Sequence, residues 1–273
     1  MKLLDFVKII TPPLLINIYQ SLRLRPNGLH GDLHSWNEAS SASTGYDQSI
    51  ILEKTKTALL KIKNGEAVYE RDSVLFDRIQ YSWPVLSGLL LAAASDNGKL
   101  DVLDFGGSLG SSYFQNRHFL SSVGTVRWNI IEQPDHVAAG RAHFENDDLK
   151  FYTSIVDCLM ETQPNVALLS SVLQYLEHPY VVLDQIQNIS CDVVIIDRTP
   201  FWNGPEDRLC VQTVPPDIYP ASYPSWIFSR KRFYDHFHHN WQVLAEFGNS
   251  DTLPGPIDFA YQGVIIVRRE KIS

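Results

Sequence analysis

The sequence predicts an α/β fold: a mostly parallel sheet with helices on both faces and a helical cap ahead of it. Three observations carry that expectation. From Leu100 onward, short apolar runs alternate with stretches long enough for a helix, the pattern of right-handed βαβ units. The first run, Leu100 to Phe105, ends in a glycine turn, Gly106-Gly107-Ser108-Leu109-Gly110. The last two runs are joined by Gly248 to Ala260, which is rich in glycine and proline and too short for a crossover helix. Those two strands should therefore be antiparallel neighbours.

The elements follow in order. Met1 to Tyr19 is apolar, but Lys2, Asp5 and Lys8 interrupt it and Pro12-Pro13 break it. No run reaches the roughly 20 apolar residues of a spanning helix. A short amphipathic helix fits, resting on the protein body or making peripheral contact with a membrane surface. Ile50 to Ile62 places Ile51, Leu52, Thr55, Leu59 and Ile62 at helical spacing, and Asn64-Gly65 is a stop signal. Ser73 to Ala94 is a second helical stretch, with a kink or break expected at Pro84. Asp96-Asn97-Gly98 then turns the chain. Residues 1–98 thus read as a helical cap and 99–273 as a ligand-binding domain. The strands expected in the second part are Leu100 to Phe105, Val126 to Glu132, Leu149 to Tyr152, Val166 to Ser170, Val193 to Asp197, Gln242 to Phe247 and Gly263 to Arg268.

Composition narrows the function classes. The 273 residues are 44% hydrophobic and 20% charged, enough apolar content for a large packed core. A net charge of −8 argues against broad attachment to nucleic acid. Cys158, Cys191 and Cys210 are few, odd in number and form no CxxC, so neither a disulfide scaffold nor a zinc ribbon is indicated. A reduced, cytoplasmic setting is the simplest expectation.

The chemistry begins at the glycine turn. Glycines after a buried strand let a ligand approach the backbone, and the helix expected from about Ser111 offers unpaired N–H groups. A dinucleotide GxGxxG ending at Gly110 would need glycine at Phe105, which disfavours a nicotinamide-dependent oxidoreductase. The turn instead resembles the D/E-x-G-x-G-x-G loop of class I S-adenosylmethionine (SAM)-dependent methyltransferases. Asp104, Gly106 and Gly110 match, Gly107 lies between them, and Ser108 replaces the middle glycine. Glu132 ends the second strand 22 residues after Gly110, where a carboxylate can accept hydrogen bonds from the ribose hydroxyls of an adenosine. Ala167 to Pro179 is similar to the segment after the fourth strand of small-molecule methyltransferases. That likeness would put Ser170, Ser171 and Gln174 beside the methionine end of SAM and Tyr175 near the acceptor. Ordinary packing around a parallel strand explains the same segment equally.

A wider resemblance covers nearly the whole chain. Gly31 to Ala39, Gly45-Tyr46-Asp47, Gly65 to Ser73 and Tyr223 to Ser229 resemble a largely uncharacterised bacterial group of methyltransferase-like proteins associated with surface-polysaccharide or lipopolysaccharide gene clusters. The class I resemblance implies a Rossmann-like sheet of order 3-2-1-4-5-7-6 with the seventh strand antiparallel, in agreement with the closing hairpin. It also implies SAM as cofactor, and the wider resemblance implies O-methylation of a saccharide or sugar-linked intermediate. A non-catalytic Rossmann-like nucleoside-binding or scaffold protein is the alternative. The oligomeric state stays open.

A sugar hydroxyl needs its proton removed, so a base is expected at the ends of the fourth and fifth strands. Asp197, Tyr175 and His178 are the candidates, and Arg198 could anchor an anionic substrate. Val214 to Phe228 carries four prolines with Tyr219, Tyr223 and Trp226, a stiff loop whose aromatics could stack on a sugar. Trp36, Tyr46, Tyr69 and Trp83 should turn the cap toward the cofactor cleft. His30, Asp32 and His34 alternate but lack further ligands, so no metal site is expected. His236, His238 and His239 beside Arg230 to Arg232 read as a solvated helix face or an anion site.

Overall fold

The computed structural model describes residues 27–44, 48–214, 221–237, 239–249 and 251–271. The amphipathic segment at the N-terminus, Tyr46 and Tyr219 lie outside these residues. In chain order the elements are β1 (Gly28–Leu33), α1 (Trp36–Ser41), α2 (Gln48–Lys63), β2 (Tyr69–Arg71), β3 (Val74–Phe76), α3 (Trp83–Ser95), β4 (Lys99–Phe105), α4 (Ser111–Leu120), β5 (Thr125–Ile131) and α5 (Pro134–His143). There follow β6 (Leu149–Tyr152), α6 (Ile155–Glu161), β7 (Val166–Ser170), α7 (Pro179–Asn188), β8 (Val193–Trp202), β9 (Arg208–Thr213), β10 (Ser222–Ser229), α8 (Arg230–Asp235), β11 (Trp241–Gly248) and β12 (Ala260–Arg268).

Strands β6-β5-β4-β7-β8 are parallel, and β12 pairs antiparallel with both β8 and β11. The closing hairpin is present where the short connection required it. The order β6-β5-β4-β7-β8-β12-β11 is the expected 3-2-1-4-5-7-6, and three further strands extend the described sheet to ten. At Phe201 and Trp202 the end of β8 pairs with β10, which continues antiparallel to β9 and then β1. The sheet therefore forks at β8. Tyr223 and Trp226, expected in a proline-stiffened loop, lie in β10. Pro224 is tolerated there because β10 meets β9 along one edge and joins β8 only at Phe228 and Ser229.

The described residues before β4 are less helical than expected. β1 belongs to the large sheet, and β2 and β3 form a hairpin of their own. Pro84 starts α3 rather than kinking it, because the first helical turn lacks a partner for its N–H in any case. α2 and its Asn64-Gly65 stop match the apolar spacing, and Gly65 takes a φ of +76°.

The sheet buries side chains on both faces by the alternation of a pleated strand. Val193 and Ile195 enter one core with Leu59, Leu89, Val102 and Trp128. Val194 and Ile196 enter the other with Leu103, Leu169, Leu183 and Phe228. α3 lies directly on the first face. A Cβ on Gly88 would come within 2.7 Å of Ile195 Cδ1, so glycine sets that close approach. The three cysteines are buried as free thiols. Among the described residues no helix is long and apolar enough to cross a membrane.

Candidate active site

The parallel strands reverse their order between β4 and β7, and the cleft opens at the carboxyl ends of those two strands. Open α/β sheets take ligands at such a point. The cleft has a volume of about 650 Å³, within the usual range for a small-molecule site. Its walls come from the glycine turn after β4, the ends of β7 and β8, the β2–β3 hairpin, and the segment after β11.

The glycine turn is packed from beneath. Gly106 has φ +73°, and a Cβ there would fall 2.3 Å from Val172 Cγ2. A Cβ on Gly107 would fall 2.5 Å from the Asp104 carboxyl. Gly110, at φ +103°, starts α4. The glycines are therefore required first by the protein's own packing, and the bare backbone they leave faces the cleft. Asp104 is buried beneath the turn and accepts a hydrogen bond from Trp128 Nε1 at 2.8 Å. Burial pushes its carboxyl up to about 7, against the pull of the Trp128 bond and with help from the neighbouring charge of Glu132.

Glu132 follows β5 and accepts from the backbone N–H of Ser108 at 3.2 Å and of Gln133 at 2.8 Å. It braces the glycine turn and does not line the cleft. Ser170 and Ser171 do line it. Gln174 is fully buried behind them, donating to Ser171 Oγ and to the Arg198 carbonyl, both at 3.2 Å.

Of the base candidates, Asp197 and Tyr175 reach the cleft and His178 does not. His178 caps the start of α7 with its side chain 73% exposed, because the Pro179 after it begins a helix that points away. Asp197 is 4% exposed. Its contacts are long: Ser170 Oγ at 3.4 Å and Asn249 Nδ2 at 3.3 Å, both donating to it. Burial raises its pKa, opposed by Arg198 and the Asn249 bond. Tyr175 donates to Gln212 Oε1 at 3.1 Å and meets Tyr223 edge to face at 5.1 Å. Burial raises its pKa too.

Arg198 is not free to take an anion. Its Nε meets Asp251 at 2.7 Å, and its Nη2 pairs with Asp72 at the tip of the β2–β3 hairpin. Burial works to lower its pKa, but the two carboxylates hold it well above the ordinary value. Trp226 also stays off the cleft: its indole N–H donates to the Leu176 carbonyl and its ring stacks on Trp36 at 6.2 Å.

The hairpin supplies residues that no spacing rule marked, although Gly65 to Ser73 carried part of the family resemblance. Glu70 is 2% exposed and accepts from Ser111 Oγ at 2.7 Å and from the Ser73 N–H at 2.6 Å. Burial raises its pKa. Tyr69 accepts from Gln115 Nε2 at 3.1 Å, and burial pushes its phenol up to about 12. Of the cap aromatics, Tyr69 and Trp83 line the cleft, although Trp83 is 57% exposed, beside Tyr81 and Phe119. Asn249, Asp251 and Tyr261 also line it, from a segment read only as a loop and the start of β12.

Elsewhere, His30 is separated from any ligand set, and Asp32 pairs with Arg208. Among the described residues no group of three or more His, Cys, Asp or Glu is arranged to hold a metal. His236 caps the end of α8, and its ring lies 4.6 Å from Tyr180.

Backbone strain is concentrated in this cleft. Six described non-glycine residues have φ in the left-handed region: Asp72, Ser73, Asn97, Ser108, Ser171 and Arg198. All but Asn97, which sits in the turn before β4, line the cleft. Such conformations cost about 1–3 kcal/mol each and gather where a ligand dictates geometry.

No protein-family model and no curated protein sequence matches the chain. Among solved structures, the chain is similar to the N-terminal domain of EvdMO1, determined with S-adenosylhomocysteine (SAH) and D-fucose. Identity is 12%, covering 82% of this chain and 97% of that one, with a TM-score of 0.48. It is also similar to the [4+2]-cyclase SpnF, at 11% identity over 89% of this chain and 98% of that one, TM-score 0.48. A third likeness is to SAM-bound CalS10, an amino pentose methyltransferase from Micromonospora echinaspora involved in calicheamicin biosynthesis. There the identity is 9% over 69% of this chain and 92% of that one, TM-score 0.43.

Proposed function

We propose that the chain is a SAM-dependent methyltransferase acting on a small polar acceptor of the saccharide class. One observation carries this reading: a single cleft at the strand-order reversal joins the glycine turn to five of the six left-handed residues. Asp104, Gly106, Gly107, Ser108 and Gly110 form the turn that would hold the cofactor, with Glu132 bracing it from behind and Ser170 and Ser171 toward the methionine end. The residues present fit that ligand, because the turn offers bare backbone and the α4 N-terminus, and Phe105 closes the alternative dinucleotide pattern.

The cofactor supplies an activated methyl group on a sulfonium. The protein's part is to hold the acceptor in line in a site that excludes water, and to take a proton from the acceptor. Asp197 is the group we assign to the proton, with Tyr175 packed beside the acceptor. The saccharide class rests on the tyrosines Tyr175, Tyr223 and Tyr261 that line the cleft and on the family resemblance, which also suggests surface-glycan assembly.

Calorimetry with SAM, SAH and NAD tests the reading directly. SAM and SAH should bind and NAD should not; NAD binding alone would sink it. With an acceptor in hand, Asp197→Asn should reduce turnover while SAM affinity is kept. Tight SAM binding with no turnover on any acceptor would favour a non-catalytic nucleoside-binding protein.

A further inference from the structure

The cleft has an uneven charge inventory. Among the described residues, five carboxylates line the cleft (Glu70, Asp72, Asp104, Asp197 and Asp251) against two cations, Arg71 and Arg198. Arg198 is held by Asp72 and Asp251, and Arg71 lies 3.9 Å from Asp251. Both cations are therefore already engaged, and an anionic acceptor would meet no uncommitted positive charge. Glu70 and Asp104 sit on the glycine-turn side, each with a short hydrogen bond from a protein donor. Asp197 sits away from the turn, buried, with two long side-chain contacts, a bond from the Arg198 backbone N–H and no ion pair of its own.

An ionised carboxylate in that position is costly unless a cation joins it. Tyrosines line the same cleft. Tyr175 and Tyr223 meet edge to face, and Tyr261 is buried at the same rim. Aromatic faces beside a carboxylate favour an ammonium over a neutral or anionic group.

Resting on the methyltransferase reading, we propose that the acceptor is an aliphatic amine, such as an amino sugar, and that Asp197 receives its ammonium. The ammonium gives one proton to Asp197. The nitrogen lone pair then takes the methyl carbon, the carbon–sulfur bond breaks with its electrons kept by sulfur, and the positive charge passes from sulfur to nitrogen. Asp197 thus selects the acceptor and takes its proton, and no stronger base is needed.

The test uses the full chain loaded with SAH. Binding of 2-amino-2-deoxyglucose is compared with that of its N-acetyl derivative and of glucose 1-phosphate by calorimetry or ligand-observed NMR. The amine should bind at least tenfold tighter than either. Asp197→Asn should remove that preference while SAH affinity is retained, and Tyr223→Leu should weaken the amine several-fold. Equal or tighter binding of the N-acetyl sugar or the phosphate, or no binding of the amine at millimolar concentration, would overturn the amine assignment. Failure of SAH itself to bind would instead overturn the methyltransferase reading.

Discussion

The two walls of the cleft are built in opposite ways. The cofactor wall is backbone: a glycine turn between β4 and α4, fixed by sterics with Val172 and Asp104 and contiguous in sequence. The wall we assign to the acceptor is side chain: Tyr175, Asp197, Tyr223, Asn249 and Tyr261 arrive from five separate segments. A backbone wall fits one shape of ligand and tolerates little change. A side-chain wall can be re-specified one residue at a time.

The largest expected effect falls on the backbone wall. Gly106→Val puts a branched side chain at φ +73° and into Val172, so stability should fall by about 2–4 kcal/mol and SAM binding should be lost. Denaturant unfolding and calorimetry measure both. A stable variant that still binds SAM would mean that the turn is not fixed by packing.

Asp104 gives the second. Its folded pKa, about 7, lies above the ordinary 3.8, so the folded state holds the proton more tightly. The contribution is full below pH 3.8 and is lost as the pH rises through about 7. Asp104→Asn, which can still accept from Trp128, should flatten that segment of the stability–pH curve.

Arg198→Met tests the tie between the hairpin and β8. Removing the guanidinium leaves Asp251 partly buried with only Arg71 at 3.9 Å, at a cost of roughly 2–4 kcal/mol. A double-mutant cycle should give stronger coupling to Asp251 than to the more exposed Asp72, and the reverse ranking would contradict the geometry. Next comes Glu132→Ala, expected to weaken SAM by about 1.5–3 kcal/mol through loss of charged hydrogen bonds at the turn. The smallest effect should come from His178→Ala: the side chain is 73% exposed, so stability should move by less than about 0.5 kcal/mol and turnover not at all.

The same contrast explains what the sequence made legible. The seven expected strands are present: six carry apolar runs buried on both sides, and the exposed edge strand β11 was marked by the short connection to β12. The glycine turn was readable because its chemistry is local. β9, β10 and β1 were not, since β10 carries Pro224 and β1 is a short run with two glycines, Gly28 and Gly31. Nor was the fate of Arg198, which depends on Asp72 and Asp251, distant in sequence on either side. His178 had suitable intrinsic chemistry, yet Pro179 turns it outward.

The fork at β8 also sets a schedule for synthesis. Strand β1 leaves the ribosome early, but its partner β9 follows far behind: Cys210 Sγ donates to the Gly31 carbonyl across 179 residues. At roughly 5–20 residues per second, β1 waits on the order of 10–40 s for its partner. The β4-β5-β6 neighbours, joined by short crossovers, can pair within a few seconds of emerging. The outer edge of the sheet is thus the seam whose first strand waits longest for its partner on a nascent chain, and during that wait Leu29, buried in the finished sheet, has no β9 to cover it.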